Sequence, residues 1–344
     1  MDLRTDPVQR RLAEAVDAAL SRTGDPYAEL AAIGVPELSL PARLGGYGLG
    51  LGADVVVNLR LGHHLQPLPA GRETLFALGL LTAEQLPDGL LEQVLKGAAH
   101  VVTIGVHDRP TLRADQAGGL WGESGPLPSG EPALAVVRAT APGGVPRWYV
   151  VRPDPADEPA GDGSLLGVPG RTVRFAGTRA TEIEVPDELL RSELDAARIR
   201  QAAVLLGLAD RAVAATRTHV NRRTQFGRPL VELQTVAHRL ARLVGLADGW
   251  RLLVHEAAWR HDLGEPCTGE AAQALAAAAE HALTATRLCI QLHGARGMLA
   301  HSTAATAYRL ASLEATRMGP PARLWAEAGR AHLAAGRAAP GLTG

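Results

Sequence analysis

Cys267 and Cys289 are the only two cysteines in 344 residues. Two thiols cannot build a disulfide framework or a cysteine zinc site, so a reducing cytoplasm is the expected compartment. Net charge is nearly absent as well, with 35 basic side chains against 36 acidic ones. That balance favours neither a nucleic-acid partner nor an anionic membrane surface. No stretch reaches the roughly 18 uncharged apolar residues of a membrane span. The segment Met1-Asp2-Leu3-Arg4-Thr5-Asp6 is polar where a signal peptide is apolar. The adjacent His63 and His64 have no partner at metal-ligand spacing, so no metal site is expected.

What is present is an ordinary globular composition, 46% apolar and 21% charged, at a length that suits two or three domains. Residues 1–97 have helical character. Asp6-Pro7 makes a capped helix start, and Leu12, Val16 and Leu20 follow at helical spacing. A second helix over Tyr27–Ile33 stops at Gly34, and a turn at Gly45-Gly46-Tyr47-Gly48 precedes a helical stretch from Ala53 to Leu65. Residues 98–190 change to short apolar runs, Val101–Val106, Leu134–Val137 and Trp148–Val151, separated by turns such as Gly122–Pro126. With the alternating Thr181–Val185, they predict a small, mostly antiparallel β-domain. Residues 191–344 return to long helical patterns. Ile199, Ala202, Leu206, Ala209, Val213 and Val220 line one face of the first, and helices are expected over Leu233–Trp259, Gly269–Leu292, Ser302–Thr316 and Ala322–Ala335. The fold class is α+β: an N-terminal helical domain, a middle β-domain and a C-terminal four-helix bundle. The tryptophans, Trp121, Trp148, Trp250, Trp259 and Trp325, are expected to be packing residues.

Three motifs then stand in register. Arg223-Thr224-Gln225-Phe226-Gly227-Arg228-Pro229-Leu230, continued by Gln234 and His238-Arg239-Leu240-Ala241, resembles the Arg-x-Gln-Phe-Gly signature of the acyl-CoA dehydrogenase family. Gln291-Leu292-His293-Gly294-Ala295-Arg296-Gly297 is similar to that family's Gln-x-x-Gly-Gly-x-Gly turn. Leu30–Gly34, Pro41 and Gly45–Gly48 resemble its N-terminal signature. The resemblance implies FAD as cofactor and an acyl-CoA or acyl-carrier-protein thioester as substrate. It assigns Arg223 to the FAD pyrophosphate and Phe226 to packing on the cofactor, with Gln225, Gln234 and Gly297 in the same motifs. Gln291 and Gly294 would reach the FAD of a neighbouring subunit, which implies a homo-oligomer or a hetero-oligomer with a full-length sibling. His293 is expected to be structural or to face the cofactor.

The pattern fails where the chemistry is strictest. Family dehydrogenases abstract the proton alpha to a thioester carbonyl with a carboxylate, while the flavin takes hydride from the beta carbon. The usual Glu-Gly-Thr segment is here Met318-Gly319-Pro320, and the alternative base position on the first bundle helix is Ala197. Glu314, Glu193 and Asp195 are the fallback carboxylates; Glu193 and Asp195 also suit the N-terminal end of a helix. The middle domain is reduced too. Thr103–His107 leads directly to Arg109-Pro110, and Pro126-Leu127-Pro128-Ser129 stands where the family carries a tryptophan segment lining the flavin ring. Three functions follow: the base-lacking subunit of a heteromeric acyl-thioester desaturase, a stand-alone specialised-metabolism enzyme performing other acyl-thioester or non-redox chemistry, or a non-catalytic binding protein.

Overall fold

A computed structural model describes residues 6–106, 111–128, 132–153, 159–162 and 170–338. The expected interruptions at His107, Arg109, Pro110 and Ser129 lie outside the described residues. The chain begins with helices α1 (Pro7–Leu20), α2 (Pro26–Ala31), α3 (Val35–Ser39), α4 (Leu51–His63), α5 (Pro69–Gly79) and α6 (Leu90–Leu95). Strands β1 (Val101–Ile104), β2 (Arg113–Ala114), β3 (Gly119–Glu123), β4 (Leu127–Pro128), β5 (Leu134–Thr140), β6 (Pro146–Val151), β7 (Pro159–Asp162), β8 (Gly170–Arg179) and β9 (Thr181–Ile183) follow. The rest is helical: α7 (Asp187–Arg222), α8 (Gln234–Asp262), α9 (Thr268–His293), α10 (Thr303–Glu314) and α11 (Pro321–Ala338). The α+β order of helices, sheet and helices is the one expected. Among the described residues no helix is long and apolar enough to cross a membrane.

Contacts divide the described chain into two compact units that cut across sequence order. One gathers the described parts of Ser21–Leu49 and Leu68–Ala197 and contains the sheet. Its central strand β5 runs parallel to β1 and antiparallel to β6, and β3 pairs antiparallel with the long β8. Alternate residues Val102, Ile104, Ala135, Val137, Leu120 and Phe175 point into one apolar core. Helix α5 is tied to that sheet through Thr74, whose hydroxyl donates to the Val101 carbonyl and accepts the Val101 N–H. Trp121 on β3 is half exposed, its indole N–H donating to Asp115, so it is not the packing residue expected. Trp259 on α8 is similarly exposed.

The other unit combines the described parts of Met1–Leu20, Gly50–Pro67 and Arg198–Gly344. Helix α1 starts as the sequence predicts, with the Asp6 carboxylate accepting the Val8 N–H at 2.8 Å. Helix α4 has Gly50 ahead of it, which offers no capping side chain. Asp262 at the end of α8 supplies one, accepting from the N–H groups of Leu51 and Gly52. From Arg198 to Ala209 every residue of α7 is buried, not only the predicted stripe. The polar members of this run are each paired: Arg198 with Glu327, Arg200 with Asp54, and Gln201 with Glu314.

Helices α4 and α7 cross with their backbones in contact. A β-carbon on Gly207 would lie 2.1 Å from the Leu59 carbonyl oxygen, and one on Gly62 would lie 2.1 Å from that of Val204. Backbone on both sides leaves nothing that can rotate away. Gly207→Ala is therefore expected to destabilise this unit by about 1–3 kcal/mol, as overpacking does, read as a lower melting temperature. An unchanged melting temperature would contradict the close crossing.

Candidate functional site

The Arg-x-Gln-Phe-Gly segment closes off α7. Arg223 still donates its N–H to the His219 carbonyl, and then Thr224-Gln225 pairs antiparallel with Arg228-Pro229 across a two-residue turn. The turn residues Phe226 and Gly227 both have positive φ, 52° and 78°. Positive φ at both central positions is the pattern of a type I′ hairpin turn. Glycine adopts it freely, whereas phenylalanine is strained there by about 1–2 kcal/mol. The Phe226 ring is also 88% exposed. Strain and exposure on one aromatic residue mark a tip shaped for contact rather than for packing. Gln225, and Gln234 at the start of α8, are exposed nearby in sequence.

Next to this tip lies an open cavity of about 760 Å³, bounded by α7, the end of α9 and the start of α10. Its walls carry Arg211, Arg222, Arg223 and Arg296 together with His219 and His293. No carboxylate lines it among the described residues. Ser302 and Thr303 stand at the N-terminus of α10, where Ser302 caps the helix by accepting from Ala305 N–H at 3.0 Å. Four guanidinium groups beside the positive end of a helix suit a multiply charged anion such as a diphosphate. Of these lining residues the sequence motifs single out Arg223; Arg211, His219, Arg222 and Arg296 join it only in the folded chain. Arg211, Arg222 and the intervening Thr218-His219 recur at helical spacing, a signal visible in the sequence.

Around the second motif the two glycines have different reasons. Gly294 ends α9 at φ 61°, ψ −143°, a conformation closed to residues with a β-carbon, although its surroundings are open. Gly297 is buried, and a β-carbon there would meet Ile290 O and His293 Cβ at 2.9 Å. Gln291 lies on another face of α9. It accepts from Arg239 at 3.4 Å and lines a second cavity of about 670 Å³ between α8 and α9. Arg223 and His293 thus share one cavity, while Gln291 opens on the other.

The candidate carboxylates are dispersed. Glu314 is 2% exposed and both its oxygens are engaged. Arg317 Nη2 donates to Oε1 at 2.9 Å and Nε to Oε2 at 3.1 Å, while Gln201 Nε2 donates to Oε2 at 2.8 Å. Met318, close by in sequence, is buried. In the sheet-containing unit, Glu193 is half-buried with its carboxylate lying over Gly79 of α5. Asp195 and Ala197 are buried on the same helix as Glu193.

A family profile described as acyl-CoA dehydrogenase, C-terminal domain, matches residues 188–332. The acyl-CoA dehydrogenase IpdE2 of Mycobacterium tuberculosis is 30% identical over 262 residues, covering 76% of this chain and 72% of that protein. Among solved structures, the ChsE4-ChsE5 complex from Mycobacterium tuberculosis superposes with a TM-score of 0.83 at 20% identity, over 97% of this chain and 99% of that one. A variant of the Tcur3481-Tcur3483 steroid ACAD (acyl-CoA dehydrogenase) gives a TM-score of 0.81 at 25% identity, over 96% and 99%.

Proposed function

Because the chain belongs to the acyl-CoA dehydrogenase family, we propose that it is an FAD-linked, base-lacking subunit of a heteromeric enzyme that desaturates an acyl thioester between its alpha and beta carbons. Family members are FAD-dependent flavoproteins. One observation carries the reading: a cavity suited to a diphosphate is retained, while both positions where the family keeps its base hold Met318 and Ala197, neither of which can take a proton. Relatives named as two-component assemblies, ChsE4-ChsE5 and Tcur3481-Tcur3483, support the pairing with a sibling.

The four cavity arginines fit the FAD diphosphate, because they concentrate positive charge without a competing carboxylate among the described lining residues. Arg223 would hold that group, and the exposed Phe226 ring would pack on the cofactor, with Gln225 and Gln234 beside it. Gln291 and Gly294 would complete the site of a neighbouring subunit. Bound FAD would supply the two-electron acceptor for the substrate beta hydrogen. The sibling would supply the carboxylate that removes the alpha proton, and the substrate would be an acyl-CoA or an acyl-carrier-protein thioester.

A visible absorption spectrum of the purified chain, alone and co-expressed with a full-length family sibling, tests this. Flavin bands that require co-expression are expected. Flavin retained by the chain alone, with turnover, would replace the shared-site reading with that of a self-sufficient enzyme. No flavin in either preparation would remove the flavoprotein assignment. Arg223→Ala should weaken FAD binding by about 10–100-fold, the loss of one charge-assisted contact worth about 1.5–3 kcal/mol. Equilibrium titration with FAD measures it, and an unaltered affinity would remove Arg223 from the diphosphate site.

A further inference from the structure

The stacked pair His219 and His293 in the arginine-lined cavity has no role in the reading above. The ring centroids lie 4.2 Å apart with 27° between the planes. The His293 ring is held by a backbone carbonyl, its Nδ1 lying 2.7 Å from Cys289 O.

The groups around His219 are almost all cationic. Helix α7 contributes Arg211, Arg222 and Arg223, and the turn after α9 contributes Arg296. Helix α9 adds His293 and the buried Cys289, whose thiol is pushed up by burial and so stays protonated at neutral pH. Helix α10 brings only the hydroxyls of Ser302 and Thr303. Burial, then His293, Arg223 and Arg296, hold the His219 pKa below the ordinary imidazole value. The free cavity therefore presents four permanent charges and a neutral imidazole at pH 7.

A diphosphate reverses that balance. It supplies the negative charge the arginines lack, and a nearby anion favours the charged form of an imidazole. We propose that His219, supported by its stack on His293, is a positioning residue for the diphosphate and takes up a proton as that anion enters. Arg296, which lines the same cavity, would hold the same group. The inference rests on the flavin reading above for the identity of the ligand. FAD, ADP and CoA share the diphosphate, and the experiment separates them.

The sign follows from linkage. An anion that raises the His219 pKa binds more tightly at low pH, and affinity falls as pH rises through the interval between the free and bound pKa values. The steepest slope for one proton is about tenfold per pH unit.

The test is calorimetric titration of the full chain, with its sibling where co-expression proves necessary, by FAD between pH 6 and 8. Two buffers of different ionisation enthalpy report proton transfer directly. Uptake of up to one proton per FAD is expected, with affinity declining toward pH 8. His219→Phe, which keeps an aromatic ring on the stack, should abolish the uptake and flatten the profile, and His219→Gln should do the same. Arg223→Ala should weaken binding at every pH and, by removing one of the charges that disfavour protonated His219, reduce the uptake without abolishing it. Binding without proton uptake, or uptake that survives in both folded His219 variants, would overturn the proposal. If FAD binds at no pH, the flavin reading fails separately, and ADP, CoA and inorganic pyrophosphate are titrated in its place. Because their own phosphates titrate in this range, proton uptake with any of these that is lost in both His219 variants supports the proton-taking anion site, and uptake unchanged in the variants, or absent with all of them, sinks it.

Discussion

Asp54→Ala is expected to destabilise the helical unit by about 3–5 kcal/mol, the usual cost of breaking a buried ion pair from one side. Asp54 on α4 is 1% exposed and Arg200 on α7 is 5% exposed, with Arg200 Nε donating to Asp54 Oδ2 at 2.5 Å. Deleting the carboxylate leaves a guanidinium in a dry helix crossing without its counter-charge. The loss is a large share of the 5–15 kcal/mol that holds a typical domain together. Removing both partners is different. Asp54→Leu combined with Arg200→Met should recover most of the stability, because the desolvation of two charges is then no longer required. Urea unfolding followed by far-UV circular dichroism measures both variants. A single substitution that costs nothing would mean that water reaches the pair. The exposed Glu92–Lys96 pair at the end of α6 should by contrast be silent when broken, since solvent screens it.

The same crossing shows what the sequence made legible and what it hid. Long apolar periods marked α7, α8 and α9, and Asp6-Pro7 marked the start of α1, because caps and helical periods are local. Asp54 and Arg200 stand 146 residues apart, and nothing local pairs them. The cap of α4 by Asp262 is equally non-local, spanning 211 residues. Strand β8 escaped notice for another reason: only Val173 and Phe175 of its ten residues are buried, so its apolar signal is thin. The candidate site was half legible. Residue identity singled out Arg223 and Phe226, and counting along the chain put Met318 where the resemblance expects a glutamate. The cavity itself required α9 and α10 to bring His293, Arg296 and Ser302 against the end of α7. Glu314 looked like a spare carboxylate in the sequence because its partner Gln201 lies 113 residues away.

Glu314→Ala is expected to cost about 3–5 kcal/mol of stability while leaving the catalytic rate of the folded complex unchanged. The stability loss arises much as it does at Asp54: the side chain is 2% exposed and neutralises the half-buried Arg317. The unchanged rate follows from geometry. A general base must turn a free lone pair toward the carbon-bound proton it removes. Glu314 gives one oxygen to Arg317 and shares the other between Arg317 and Gln201, so serving as base would mean dismantling a forked ion pair at each turnover. Glu314→Gln separates the two effects. It keeps an acceptor for Gln201 and most of the volume, so enough protein should fold to be assayed with its sibling. General-base catalysis contributes about 10²–10⁴-fold. A fall of that size in the rate per flavin of folded Glu314→Gln, with the pH profile losing its acidic limb, would make Glu314 the base and end the reading of this chain as base-lacking. A rate within about twofold of the parent, together with a lowered urea midpoint, would leave Glu314 as the counter-ion of Arg317 and direct the search for the carboxylate to the sibling.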